Sequence, residues 1–353
     1  MLAVVKAERG RGVVVREVPP PTCGDQEVII EVQVAGICGS DLHAYESLVG
    51  FEWMPIPVIM GHEFSGTITE VGRGVQRYKV GDRVTADPAV PCQQCYFCRT
   101  GHTNICENRL TYGFARNGAF ARYVSFPAHA LYPLPDSVSF EEAACLEPLG
   151  VALHALEGSR FQPGDAMMIL GPGPIGLFLA QILAGSGAYK IFLVGTEADR
   201  ARLEMGAKLA SAETFFFESK GLQERVRAET EGRGPDIVFD CSGDPVAGAQ
   251  AIHFVRGGGQ VIWVSIFQQP VTVDGNALVR RDITLQASRS RLPQTWFRAM
   301  RFLEQKKVRV LELVTHRFPL AQAPDLFEIM LRREGIKGLL LTGPSQKTSG
   351  KGP

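Results

Sequence analysis

The sequence predicts an α/β protein in two parts, a doubly wound parallel-sheet domain inserted in a discontinuous, mainly β domain. Up to about residue 150, short β-branched runs are joined by glycine- and proline-rich turns. From Pro163 onward, apolar five-residue strands alternate with helical patterns, which is typical of βαβ units on a parallel sheet. The closing segment contains helices and strands but no glycine-rich motif, so we assign it to the first domain.

Each predicted element follows from its local pattern. The first domain contains the strands EVIIEVQVAGI, SGTITEV and RVTADPAV. In the second, the strands AMMIL, KIFLV, DIVFD and QVIWV alternate with helices such as PIGLFLAQILAG and DRARLEMGAKLAS. The closing segment reads as the helix TWFRAMRFLEQKK, the strand RVLELVTHRF, the helix APDLFEIMLRRE and the strand KGLLLTG. These elements predict domains at 1–150, 151–288 and 289–343, with a cysteine lobe at 88–110 and a disordered tail at 344–353.

Length and charge exclude several classes of protein. The chain has 353 residues, which at ~150 residues per domain corresponds to about two domains. Lysine plus arginine and aspartate plus glutamate number 37 each, which argues against a basic nucleic-acid-binding face or a polybasic membrane anchor. The N-terminus lacks signal-peptide features, and Pro172 and Pro174 interrupt the uncharged stretch from Ala166 to Tyr189. We expect a cytoplasmic protein with neither a membrane nor a nucleic acid as partner.

Four cysteines form a cluster with metal-ligand spacing. Cys92, Cys95, Cys98 and Cys106 lie in the string CQQCYFCRTGHTNIC. Two-residue gaps allow successive thiolates to surround one ion, and four thiolates close the tetrahedral shell of a structural zinc. His102 is a possible substitute ligand. Disulfides, free thiols, an iron–sulfur cluster and a nucleic-acid-binding zinc ribbon are alternatives, disfavoured by the absent export signal and the few basic neighbours.

A second set of candidate ligands is spread along the first 150 residues. Cys38 lies in AGICGSDLH, His62 and Glu63 in IMGHEFSG, and Glu147 in CLEPLG. Cysteine, histidine and carboxylate are ligands of catalytic zinc, and three protein ligands leave one position open. Taken singly, a cysteine is as readily core filling, and a histidine a hydrogen-bonded bystander.

A glycine-rich turn predicts a dinucleotide site. Gly171, Gly173 and Gly176 form G-P-G-P-I-G, directly after a strand and before a helix that begins with Pro174 and Ile175. In this context the glycines allow the backbone to approach a pyrophosphate, and the helix N-terminus supplies partial positive charge. The turn therefore predicts a Rossmann domain.

The next strand departs from the usual pattern for NAD. Gly195 occupies the position at which an acidic residue ordinarily binds the adenosine ribose diol, and Thr196 and Glu197 follow it. Arg200 and Arg202 lie shortly beyond and are candidates for binding a 2′-phosphate. Glu197 is the alternative ribose ligand, so the sequence leaves NAD or NADP open, with a slight preference for dual or NADP use.

Further cofactor contacts are expected where later strands end, because ligands bind at the carboxyl ends of parallel strands. The candidates are Cys241, Ser242, Gly243, Val264, Ser265, Ile266, Ser288 and Arg289.

The string GHEFSGTITEVGRGVQRYKVGDRV resembles the zinc signature of the medium-chain dehydrogenase/reductase superfamily. GICGSDLH and the four-cysteine lobe are similar to its zinc-dependent sorbitol (polyol) and threonine dehydrogenase branch. The resemblance implies a GroES-like catalytic domain around a Rossmann domain. It also implies that Cys38, His62 and Glu63 bind a catalytic zinc, with Glu147 as a direct or water-mediated ligand.

The same resemblance implies a proton path. Ser40 hydrogen-bonds the substrate oxygen, and His43 carries the proton onward by way of the cofactor ribose; a helix N-cap is the structural alternative for Ser40. Phe51, Trp53, Phe114 and Arg116 are candidate pocket residues.

The expected function is reversible oxidation of a secondary alcohol with hydride transfer to NAD or NADP. Polyols, sugar alcohols, their phosphates and amino alcohols all stay open as substrates. The resemblance further implies a homodimer or homotetramer. The alternative is a non-catalytic nucleotide-binding member of the same superfamily.

Overall fold

The computed structural model describes residues 1–343, and the chain divides into two compact units. The first comprises residues 1–147 together with the described residues from 314 onward, and the second comprises residues 148–313. The predicted disordered tail, 344–353, lies outside the described residues.

The strands of the first unit are β1 (Leu2–Lys6), β2 (Val14–Glu17), β3 (Glu27–Gly36), β4 (Val58–Ile59), β5 (Glu63–Val71), β6 (Arg83–Ala86), β7 (Ala89–Val90), β8 (Leu110–Thr111), β9 (Tyr123–Pro127) and β10 (Leu131–Pro133). Its helices before the second unit are α1 (Gly39–Tyr45), α2 (Tyr96–Arg99), α3 (Phe140–Ala144) and the start of α4 (Leu146–Glu157).

The second unit contains β11 (Ala166–Leu170), α5 (Pro174–Gly185), β12 (Lys190–Gly195), α6 (Arg200–Ala210), β13 (Glu213–Phe216), α7 (Leu222–Ala228), β14 (Ile237–Asp240), α8 (Pro245–Phe254), β15 (Gln260–Trp263), α9 (Gly275–Arg280), β16 (Thr284–Ala287) and α10 (Pro293–Glu304). The chain then returns to the first unit with β17 (Val314–Pro319), α11 (Ala323–Leu331) and β18 (Lys337–Leu341).

The core of the first unit is a seven-stranded sheet in which β3 is central. Along its main path the strand order is β10-β6-β5-β3-β18-β17, and β9 also pairs with β3. At the end of β3, Gly36 lies opposite Glu63 on one side and opposite Leu339 on the other. The first residues of β5 and β18 therefore meet at the end of β3.

The second unit is a six-stranded parallel sheet of order β13-β12-β11-β14-β15-β16, which confirms the predicted doubly wound fold. Every residue of β11 is buried, as expected for a central parallel strand. The uncharged stretch predicted as strand–turn–helix forms β11 and α5. No helix within residues 1–343 is long and apolar enough to span a bilayer. The sequence analysis missed β13 and β16, which lie at the sheet edges and are only partly buried.

The return to the first unit comes later than predicted. The sequence analysis placed it at residue 289, whereas the structure places it at Val314. Helix α10 belongs to the second unit because its Trp296 and Leu303 are fully buried and its Thr295 hydroxyl donates to Glu157 at 2.6 Å. An amphipathic pattern predicts the helix but does not say which core covers its apolar face.

Candidate metal centres and dinucleotide site

Helix α1 begins at the first candidate ligand. Cys38 is its N-cap residue, with extended backbone (φ −93°, ψ 157°), so Ser40 lies inside the first turn and is not the cap. The Cys38 main-chain N–H donates to Asp41 Oδ2 at 3.0 Å. This bond ties the ligand-bearing residue to the first turn of α1 and satisfies an amide that the helix leaves unpaired.

The second and third candidate ligands lie where β5 begins. Gly61, just before His62, has φ +92°, and a side chain there would collide with the ring of Phe120. His62 and Glu63 are 5% and 1% exposed. The tight turn thus directs both side chains into the interior of the unit.

Three of the four predicted ligands of this centre converge. One donor atom from each of Cys38, His62 and Glu63 lies within 4.8 Å of the other two. Glu147 does not belong to this set, although its carboxylate is near enough to add to the effect of burial, which raises the pKa of Glu63. Its role as a ligand stays a prediction.

The His62 ring is oriented by neighbours on α1. Its Nδ1 faces Asp41 Oδ1 at 3.4 Å, which leaves Nε2 as the nitrogen for a metal. Ser40 Oγ lies 3.5 Å from Nε2. Burial alone would lower the pKa of His62, but the Asp41 carboxylate and the Cys38 thiol raise it well above its usual value.

A buried lysine holds the third ligand. The Lys337 ammonium group pairs with Glu63 Oε2, and both side chains are 1% exposed. It also donates to the carbonyl of Ile37 at 2.8 Å. A Cβ at Gly36 would lie 2.6 Å from Glu63 Oε2 and 3.0 Å from Lys337 Cε, so only glycine leaves room for this contact. Burial would lower the pKa of Lys337, yet the Glu63 carboxylate raises it.

These residues fit a metal ion. Among the described residues, Glu63 Oε1 is buried without a hydrogen-bond partner, whereas His62 Nδ1 and Asp41 Oδ1 face each other at 3.4 Å. Buried polar atoms are rarely left in this state, and each costs about 1–3 kcal/mol. Thiolate, imidazole and carboxylate are zinc donors, and three of them leave a coordination position open.

Aromatic rings surround these donors. Phe114 lies 5.0 Å from the His62 ring, and Phe51 lies 5.5 Å from Phe114 and 6.4 Å from the His43 ring. Burial lowers the pKa of His43. Trp53 is 57% exposed.

The pocket prediction for Arg116 is not supported. Arg116 is exposed and lines a different groove, of about 700 Å³, together with Arg16 and Pro19–Pro21. That groove contains none of the metal-site residues, because the turn around Gly113 directs Phe114 inward and Arg116 outward.

The four cysteines of the lobe also converge. Cys92 Sγ lies 4.0 Å from Cys98 Sγ, and Cys95 Sγ lies 3.8 Å from Cys106 Sγ. A tetrahedron with Zn–S bonds of 2.3 Å has edges of about 3.8 Å, whereas a disulfide needs about 2.05 Å. Main-chain amides of Gln94 and Cys95 lower the pKa of Cys92, whereas burial raises the pKa of Cys98 and Cys106; the sulfur spacing is therefore the observation that favours a metal.

The glycine-rich turn has the features of a pyrophosphate cradle. Gly171 has φ +98°, and a Cβ there would lie 2.7 Å from the backbone of Ser242. Nothing lies within 4 Å of a Cβ at Gly173, which is the N-cap residue of α5 and provides no side-chain cap. Pro174 opens the helix, so the amides of Ile175 and Gly176 remain available to an anion.

The structure explains why the ribose-binding acid is absent. Gly195 ends β12, and a Cβ there would lie 2.8 Å from the Pro172 ring. Thr196 is held by Asp199, which accepts from its N–H and its hydroxyl at 3.1 and 2.8 Å. Glu197 pairs with Arg200 at 2.6 Å, and both are exposed.

Arg200 also stacks 4.8 Å above the Phe216 ring, whereas Arg202 pairs with Asp199 at 3.4 Å. Both acids that follow Gly195 on this turn, Glu197 and Asp199, are therefore paired with an arginine.

The other predicted cofactor residues lie at the ends of β14, β15 and β16. Val264, Ser265, Ile266, Ser288 and Arg289 line an open cleft of about 630 Å³. Ser242, two residues past β14, donates to Asp240 Oδ1 at 2.6 Å. Asp240 is fully buried, and its Oδ2 has no partner among the described residues. Burial raises the pKa of Asp240 to about 6.

Comparisons with known proteins define the class of this protein. Residues 24–136 match the alcohol dehydrogenase GroES-like domain, and residues 174–305 match the zinc-binding dehydrogenase family. The chain is 36% identical over 343 residues to a sorbitol dehydrogenase of Halalkalibacterium halodurans, covering 96% of this chain and 99% of the relative. It is 34% identical over 329 residues to a D-arabitol-phosphate dehydrogenase of Enterococcus avium, covering 92% and 93%.

Among solved structures, alcohol dehydrogenase TADH from Thermus sp. ATN1 superposes with a TM-score of 0.88 at 30% identity, covering 97% of this chain and 100% of that chain. The chain belongs to the zinc-dependent medium-chain dehydrogenase/reductase family. Within it, the protein is an NAD(P)-dependent alcohol dehydrogenase of the sorbitol and threonine dehydrogenase branch.

Sequence reasoning missed two residues of the metal site. The contact of Asp41 could have been predicted from the sequence, because a carboxylate three residues after the N-cap residue can accept a hydrogen bond from the N-cap amide. The sequence indicates the role of Lys337 only weakly, through a single charged residue at the start of the apolar run KGLLL. Its partner Glu63 lies 274 residues away.

The Lys337–Glu63 pair predicts a metal-dependent stability effect. Lys337→Met leaves the Glu63 carboxylate buried without a counter-charge, which lowers the free energy of unfolding of the metal-free protein by about 3–5 kcal/mol. Loaded zinc supplies positive charge nearby and reduces the loss. Denaturant unfolding with and without a chelator measures both values. The control is Lys208→Met, because Lys208 forms an exposed pair with Glu312 worth about 0–1 kcal/mol. Equal losses in the two variants would contradict this reasoning.

Asp240 predicts a pH-dependent stability effect. Because the pKa of Asp240 is about 6 in the folded state against 3.8 ordinarily, folding favours its protonated form. The stability of the folded state that depends on protonated Asp240 is fully present below pH 3.8 and is lost as the pH rises through about 6. The free energy of unfolding changes by about 3 kcal/mol over this range. Asp240→Asn should therefore be more stable than wild type at pH 8, with the difference vanishing near pH 4. Thermal unfolding without cofactor checks this; a pH-independent difference would refute it.

Proposed function

We propose that the protein reversibly oxidises a secondary alcohol at the Cys38–His62–Glu63 centre. The observation that carries the proposal is the convergence of these three donors within 4.8 Å, with Glu63 Oε1 buried and without a hydrogen-bond partner among the described residues. A zinc ion held there would supply Lewis acidity, which makes a substrate hydroxyl a stronger acid. Hydride uptake is the chemistry of the nicotinamide cofactor.

The protein's own contribution is to orient the ligands and to move a proton. Ser40 Oγ lies 3.5 Å from His62 Nε2, close enough to the donors to hydrogen-bond a substrate oxygen. His43 lies one turn further along α1, and because burial lowers its pKa, it is neutral at physiological pH and able to accept a proton. We propose that Ser40 and His43 relay the proton in this order.

The proposed substrate class is a polyol, a sugar alcohol or its phosphate, or an amino alcohol. The relatives named above act on sorbitol and D-arabitol phosphate according to their names, and others are threonine dehydrogenases. A panel of these alcohols with NAD and NADP after zinc loading tests the class. Absence of nicotinamide reduction with every alcohol would favour the non-catalytic alternative. The homo-oligomeric assembly and the cytoplasmic location stay predictions.

We propose two zinc ions per chain with separate roles. Four thiolates fill a tetrahedral shell and leave no position for substrate, so the ion between Cys92, Cys95, Cys98 and Cys106 is structural.

Matched cysteine substitutions test this division. Cys38→Ala should lower kcat/KM about a thousandfold or more and leave dinucleotide affinity, measured by fluorescence titration, unchanged. Cys95→Ala, the control for loss of one zinc thiolate, should lower the unfolding temperature far more than the turnover of the folded fraction. The assignment fails if Cys38→Ala retains near-normal activity, or if Cys95→Ala is as stable as wild type but inactive.

For the cofactor, we propose dual or NADP use, with Arg200 binding the 2′-phosphate. Gly195 provides no acid to repel that phosphate, and Arg200 is 60% exposed beside it. Glu197 competes for the same guanidinium at 2.6 Å.

Arg200→Ala should raise KM for NADP about tenfold and change KM for NAD by less than about twofold, because only NADP loses a charge-assisted contact. Steady-state kinetics with both cofactors provide the measurement. The matched control is Arg225→Ala. Arg225 stacks on the Phe215 ring of β13 at 4.6 Å, as Arg200 stacks on the Phe216 ring of the same strand. Equal changes in both KM values would eliminate Arg200 as the discriminating residue.

A further inference from the structure

The segment between α1 and β4 carries an aromatic ring to the metal site. Residues 46–57 contain turns and irregular backbone. Phe51 in this segment lies edge-on to the His43 ring at 6.4 Å and 5.5 Å from Phe114. Phe114 in turn lies 5.0 Å from His62. The position of the Phe51 ring is therefore coupled directly to His43 and, through Phe114, to the metal ligand His62.

Bonds within the loop fix its shape. The Trp53 Nε1–H donates to the Gly50 carbonyl at 2.7 Å, and the Gly50 N–H donates to Glu52 at 2.8 Å. The Met54 N–H donates to the Phe51 carbonyl at 3.1 Å. These bonds join residues two or three positions apart, so they do not determine where the loop lies on the unit.

Besides the packing of Phe51 and Met54 against the core of the first unit, the turn between β1 and β2 holds the loop in position. The Arg9 guanidinium donates to the carbonyls of Phe51, Glu52 and Met54 at 3.1, 2.9 and 2.8 Å. One residue on, Gly10 and Ser47 exchange hydrogen bonds at 3.0 and 2.9 Å. A guanidinium group that donates to three carbonyls forms a stronger and more directional contact than hydrogen bonds between neutral groups.

The exposure of Arg9 and the burial of Met54 support a positioning role for Arg9. Arg9 is exposed, so its loss leaves no cavity in the core. Met54 is 1% exposed and anchors the end of the loop. Removal of Arg9 would therefore loosen the backbone around Phe51, whose ring also packs on the core, and leave the fold intact.

We propose that Arg9 is a positioning residue for substrate binding, which holds the loop at residues 50–54 so that Phe51 forms one wall of the pocket beside His43 and Phe114. This inference rests on the proposed alcohol dehydrogenase function of the Cys38–His62–Glu63 centre. Arg9 acts through the loop and makes no direct contribution to the chemistry.

Kinetics of the zinc-loaded enzyme test the effect on binding. Arg9→Ala should raise KM for the alcohol about tenfold, with little change in kcat or in KM for the dinucleotide, because binding and not chemistry loses support. Arg9→Lys retains a charged donor and should give an intermediate KM. The matched control is Arg309→Ala; Arg309 is also exposed and donates to two carbonyls, of Lys208 and Leu209, in the second unit. Its KM should equal that of wild type.

A double-mutant cycle tests the route through Phe51. If Arg9 acts by positioning this ring, Phe51→Ala should raise KM by a similar factor, and the double variant should be no worse than either single variant. Additive effects would overturn the proposed route.

Limited proteolysis gives a readout that does not depend on activity. Chymotrypsin cleavage after Phe51 or Trp53, mapped by mass spectrometry, should be faster in Arg9→Ala than in wild type or Arg309→Ala. A loop that is released without a change in KM, or a change in KM without release, would overturn the proposal. Faster cleavage in a protein that oxidises no alcohol would instead refute the proposed function while the loop contact stands.

Discussion

The metal-binding face of the first unit depends on one buried ion pair, between Glu63 and Lys337. Both side chains are 1% exposed, so each charge has lost its hydration, and the partner charge together with the Ile37 carbonyl offsets part of that cost. The lysine occupies Oε2, and Oε1 has no hydrogen-bond partner within residues 1–343. A carboxylate that is oriented in this way before an ion binds loses less conformational freedom on coordination.

The sheet order makes this pair possible. Strand β3 separates β5 from β18, and at its last residue the missing side chain of Gly36 lets Lys337 reach Glu63. The lysine comes from the segment that follows the second unit. The metal site is therefore complete only when both parts of the discontinuous first unit have joined the same sheet, which explains how a large insertion is compatible with a site that needs exact geometry.

Local patterns predicted much of the fold and of the site, and long-range packing accounts for the rest. The β11–turn–α5 unit and the ligands Cys38, His62 and Glu63 were predicted because strand, turn and ligand types are readable within a few residues. Lys337 was not, because a lysine before an apolar run has no local sign of a partner 274 residues away. The boundary at Val314 was missed for the same reason: the pattern of α10 predicts an apolar face but not the core that buries it.

The two donor sets differ in how far the protein alone satisfies them. In the cysteine lobe, the Cys92 and Cys98 sulfurs lie 4.0 Å apart, and the Cys92 main-chain amide donates to Cys106 Sγ at 3.3 Å, so the sulfurs have partners within the lobe. In the buried set, His62 Nδ1 faces Asp41 Oδ1 at 3.4 Å, and Glu63 Oε1 has no hydrogen-bond partner among the described residues. Unsatisfied buried atoms oppose folding unless a ligand completes them. Glu63 Oε1 is therefore available to an ion at the centre with three donors, where a coordination position is left for substrate.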